Sequence, residues 1–101
     1  MFLTVAAIIA GLAALGVAAA VIAYLAIKKV REKFAKMREE ALRRAEKSFL
    51  ARYKDGNYET VATGIWNDQS ERVVDGTVWK AEALDPELSS NIDYNEVLFG
   101  N

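Results

Sequence analysis

The chain has no cysteine, no histidine and a single proline, Pro86, in 101 residues. Without Cys or His there are no disulfides, no thiol nucleophile, no His or thiolate metal centre, no histidine-ligated haem and no Ser-His-Asp triad. Carboxylate, lysine, tyrosine and hydroxyl groups remain, but no phosphate-cradling glycine loop accompanies them, and residues 68–75 lack the ligand spacing of a calcium loop. Acid pairs such as Asp93/Glu96 read as solvated surface rather than as a site. The expectation is a non-enzyme with no catalytic residue, cofactor or metal. The length leaves room for one small domain at most.

A further absence is local: residues 1–27 contain no Asp, Glu, Lys or Arg. As a helix this run would reach ~40 Å, enough to cross a hydrocarbon layer of ~30 Å. The expectation is one transmembrane helix. A cleavable signal peptide is the main rival, with Ala18-Ala19-Ala20 as a cleavage stretch, but no base precedes the apolar run and the run continues to Ile27; a buried helix in a soluble core is a third reading, opposed by the length of the run without a charge. Lys28, Lys29, Arg31 and Lys33 follow it directly. The positive-inside rule then puts the N-terminus outside and the C-terminus in the cytoplasm, as in a bacterial inner membrane, with Tyr24 at the lipid headgroups. Ala6, Ala10, Ala14 and Ala18 recur every fourth residue, and Ala7/Gly11 and Gly16/Ala20 form further small pairs, a pattern that lets membrane helices pack closely.

The charge that is missing at the start is strongly segregated later. Residues 28–54 carry eleven bases against four acids, and residues 55–101 carry ten acids against two bases. The first of these segments lacks Pro and Gly up to Tyr53 and places Val30, Phe34, Met37, Ala41, Ala45 and Phe49 at helical spacing. It reads as a basic amphipathic helix continuing the membrane helix and ending at Lys54-Asp55-Gly56. Its apolar stripe could pair with a partner helix, lie on a membrane surface or cover the C-terminal unit.

After it, Tyr58–Trp66 has strand composition, Asn67–Ser70 is turn-like, and Asp75-Gly76 between β-formers predicts a two-residue hairpin. Strands at about 58–66, 71–74 and 77–83 would make an antiparallel meander. Asp85-Pro86-Glu87 predicts the start of a short helical turn, followed by an irregular acidic tail.

The fold class expected is therefore a mainly α membrane protein. It comprises a transmembrane helix (1–27), a basic amphipathic helix (28–55), a small β meander (56–84) and an extended acidic tail (85–101). As architecture alone, this resembles small single-pass subunits of bioenergetic or envelope complexes. The function expected is a non-catalytic accessory or assembly subunit of a larger membrane complex. Val30, Phe34, Met37, Phe49, Trp66, Trp79, Ile92, Tyr94, Leu98 and Phe99 are its candidate partner-binding residues. The alternatives are a self-assembling virion or envelope-filament protein, or a tether that recruits a cytosolic protein through the acidic tail. The expected partners are membrane lipid and protein, with no nucleic acid and no small-molecule substrate.

Overall fold

Eleven residues from Val5 form the first helix, α1 (Val5–Leu15), and the uncharged run ends its helical course there. Thr4 opens it, its hydroxyl accepting the Ala7 N–H at 3.1 Å. Gly16 closes it with φ +73, while Val17 N–H reaches back to the Leu12 carbonyl at 3.1 Å. This is the six-to-one closure that a left-handed residue permits. The chain then extends as β1 (Ala20–Leu25).

The computed structural model describes residues 3–100. Met1 and Phe2, the first residues of the expected membrane helix, lie outside the described residues, as does Asn101 of the expected tail. Among the described residues no helix is long and apolar enough to cross a membrane. This overturns the single-pass membrane reading and the N-outside, C-cytoplasmic topology derived from it. The physical reason is the break at Gly16: α1 spans only ~17 Å, against the ~20 residues that a crossing needs.

The rest of the chain gives α2 (Ile27–Arg43), β2 (Lys47–Asp55), β3 (Tyr58–Asn67), β4 (Arg72–Leu84), α3 (Pro86–Asn91) and β5 (Glu96–Phe99). The fold is thus a small α/β domain, not a mainly α membrane protein. Its five-stranded sheet has the order β1-β4-β3-β2-β5. β1 runs parallel to β4, and the other pairings are antiparallel.

Strand alternation divides the core in two. On one face Ile8 and Leu12 of α1 pack on Phe49, Ala51, Ala62, Trp66, Val73 and Val78. On the other, Val30 of α2 and Leu88 of α3 pack with Leu50, Val61, Trp79, Ala81 and Ile92, while Met37 and Ala41 sit with Ile65. The inner stripe of α2 therefore covers the sheet, one of the three roles its periodicity allowed.

Three further expectations give way to tertiary packing. The basic helix stops at Arg43, because Ala45 takes φ +52 and Glu46 N–H bonds the Ala41 carbonyl at 2.8 Å, so Phe49 lies on β2. Asp75-Gly76 is no turn. Both residues lie within β4, paired with Ile65 and Gly64, and the hairpin instead turns through residues 68–71. Gly76 gives Leu12 of α1 its room, since a Cβ there would stand 2.2 Å from Leu12 Cδ2. The acidic tail is not irregular either, because β5 pairs with β2 from Arg52↔Glu96 to Phe49↔Phe99.

Candidate functional site

Two surfaces and one buried network could carry function. The first surface is the outward side of α1, where Ala6, Ile9, Ala10, Ala13, Ala14 and Leu15 are exposed. The sequence of α1, VAAIIAGLAAL, contains no polar side chain at all. Surface helices usually set polar residues opposite their buried stripe. Here Ile9 is 44% and Leu15 46% exposed. Beside this face runs a groove of about 510 Å³, with Ala10, Ala14 and Leu15 on one wall and Trp66, Arg72 and Val73 on the other. Along the groove Gly11 lets α1 approach Val73 closely: a Cβ on Gly11 would be 2.6 Å from Val73 Cγ2.

The second surface is the outside of α2. Lys28, Lys29, Arg31, Lys36 and Arg38 are exposed there and Lys33 is half-buried, with Glu32, Glu39 and Glu40 between them. Arg31 meets Glu87 of α3 at 3.4 Å, an exposed pair of small energetic weight.

The buried network centres on Arg52, which is 7% exposed. Its Nη1 donates to the carbonyls of Ser89 (3.1 Å) and Ile92 (2.9 Å), and its Nη2 to Glu59 Oε1 (3.0 Å). The Tyr94 ring stacks 3.9 Å from the guanidinium, and the Tyr94 hydroxyl donates to the Glu59 carboxylate. Lys54 approaches the same carboxylate at 3.7 Å. Burial opposes the Glu59 charge, but the hydrogen bonds from Tyr94 and Arg52 and the nearby cations outweigh it and hold its carboxyl below the usual range. Both Nη atoms of Arg52 and the Tyr94 hydroxyl donate to groups of the same chain, while the buried Arg52 Nε has no hydrogen-bond partner, so the cluster ties α3 and the segment before β5 onto the sheet.

Asp85 does similar work at the strand ends. Its Oδ2 accepts the Ile27 N–H at 3.1 Å and its Oδ1 the Glu87 N–H at 3.0 Å, so one carboxylate caps both α2 and α3. Those two backbone donors, then Tyr24 and Arg31, hold its carboxyl low. Tyr24, half-exposed on β1, is pushed up by desolvation and by the Asp85 charge.

No family model, curated protein or solved structure matches this chain. The reading therefore rests on where each candidate residue lies. The small-residue ridge divides: Ala6, Ala10 and Ala14 face outward, Ala7 and Gly11 turn toward the sheet, Gly16 ends α1, and Ala18 and Ala20 are exposed before and at the start of β1. Of the candidate partner-binding residues, Val30, Met37, Phe49, Trp66, Trp79 and Ile92 are buried in this chain's own core. Phe34 and Leu98 are half-buried, leaving Tyr94 and Phe99 exposed. Sequence reasoning missed Ile9, Leu15 and Val21 as surface residues, because helical and strand phases within an uncharged run carry no polar marker. The Arg52–Glu59–Tyr94 cluster was missed because the β2–β3 pairing sets Glu59 beside Arg52 and the β2–β5 pairing brings in Tyr94 from a distant part of the sequence. Among the described residues no group of acid side chains converges as a metal site.

Proposed function

We propose that this chain is a non-catalytic accessory module that docks onto an apolar surface of a larger protein assembly through the outer face of α1. The observation that carries this reading is an exposed eleven-residue helix without one polar side chain. Contiguous apolar surface rimmed by polar residues marks interaction sites, and Glu71 and Arg72 supply such a rim beside the groove. Ala6, Ala10 and Ala14 recur one turn apart on that exposed side, so a partner backbone could come close without displacing large side chains.

Affinity purification of the wild type beside Ala10→Glu tests this. The expected result is a stoichiometric partner that the variant loses while its circular dichroism is unchanged, with residues 6–15 protected from hydrogen exchange in the complex. An identical partner set for Ala10→Glu, or no protection of α1, would sink the reading.

A further inference from the structure

β1 is an edge strand, and it lacks every device by which edges are normally kept from pairing. Among the described residues no strand lies on its outer side in the order β1-β4-β3-β2-β5. It pairs with β4 in one unbroken register, from Ala20↔Trp79 to Leu25↔Leu84, and so has no bulge. Its sequence, AVIAYL, holds no charge and no proline, and Val21 and Tyr24 are 62% and 52% exposed. Natural sheets protect edges with charges, prolines, bulges or short strands. The opposite edge follows that rule, since β5 has only four residues and carries Glu96.

We infer that β1 pairs with β1 of a second copy, antiparallel about a twofold axis, to make one continuous ten-stranded sheet. Three features select a second copy as the occupant. The first is register. A twofold axis through Ile22 sets Ile22 against its own counterpart, Val21 against Ala23 and Ala20 against Tyr24. Each bulky side chain outside the central pair then lies across from an alanine, and residues of like hydrogen-bonding parity always meet. The second is charge. The described chain before Lys28 is uncharged, so the pairing of β1 with its copy juxtaposes no like charges. The third is face. Val21 pairs with Lys80, which shares a face with Val78 beneath α1, so a twofold axis normal to the sheet keeps both α1 helices on one side and both α2 helices on the other.

This inference uses residues 20–24 and is independent of the α1 docking face. Light scattering after size exclusion, from micromolar to near-millimolar chain, should give about twice the 11.2 kDa of one chain. Val21→Lys places a charge on an already exposed position and should give the single-chain mass with an unchanged circular dichroism spectrum. The chain has no cysteine, so Ile22→Cys supplies a unique reporter. Under mild oxidation it should form a disulfide-linked pair, whereas Ala35→Cys on the exposed side of α2 should not. Ile9→Glu should leave the dimer intact, which separates this outcome from the docking test. A single-chain mass for the wild type at every concentration would overturn the proposal. A dimer that survives Val21→Lys without an Ile22→Cys link would overturn it too, because its interface would then lie elsewhere.

Discussion

The two faces of the sheet are held by different physics. Beneath α1 the core is apolar: Ile8 and Leu12 meet Phe49, Val73 and Val78, with Gly76 and Gly11 allowing close contact. Beneath α2 and α3 the apolar contacts share the face with a buried guanidinium and its carboxylate. Burial of hydrocarbon is non-directional and insensitive to protons, whereas a buried ion pair is directional, sensitive to pH and costly to break on one side only. The faces should therefore respond differently to truncation and to acid.

The largest effect expected is on the charged side. Arg52→Met removes the donors to Ser89, Ile92 and Glu59 and leaves those acceptors poorly solvated, a loss of about 3–5 kcal/mol. Urea unfolding followed by circular dichroism checks it, and a loss below about 1 kcal/mol would show that the cluster is ornamental. On the apolar side, Leu12→Ala opens a void above Gly76 and should cost about 3 kcal/mol. That loss should be the same at neutral and acid pH.

Glu59→Gln sharpens the contrast. A carboxyl held below its ordinary range contributes stability that is fully present above that range and is lost as pH falls through its lowered folded value. The wild type should therefore lose stability on acidification through the carboxylate range and below it, with Asp85 adding to the slope. Glu59→Gln should start less stable at neutral pH and lose less on acidification, so that the curves converge. A wild-type curve flat down to strongly acid pH would contradict the assignment.

The same contrast explains what could be read in advance. The α2 stripe of Val30, Met37 and Ala41 was legible because polar residues mark the opposite side of that helix, and Asp85-Pro86 announced α3 because its capping is local. The start of the chain was illegible for the converse reason: with no charge in residues 3–27, hydropathy alone cannot tell a membrane span from a short helix and an edge strand. One break signal was there, Gly16, and it was read as a packing residue. Ala45 shows the other limit. It takes the left-handed position that ends α2, a role usually marked by glycine, so nothing in the local sequence stops the helix before Gly56. Asp75-Gly76 misled because glycine serves a turn and a close contact equally well, and only the position of Leu12 decides between them.

The smallest effect expected bears most directly on function. Ile9 lies on the outer side of α1, away from the contacts that hold Ile8 and Leu12, so Ile9→Glu should change the stability of the isolated chain by no more than about 0.5 kcal/mol. Lys36→Ile on the outer side of α2 should do as little. If both hold, the fold does not require α1 to be apolar outside, and the reason for that surface lies in what it touches. If Ile9→Glu instead costs 2 kcal/mol or more, roughly the effect of emptying a core position, then Ile9 is serving this chain's own packing. The α1 face would then no longer differ in kind from the interior, and the docking role would lose its basis.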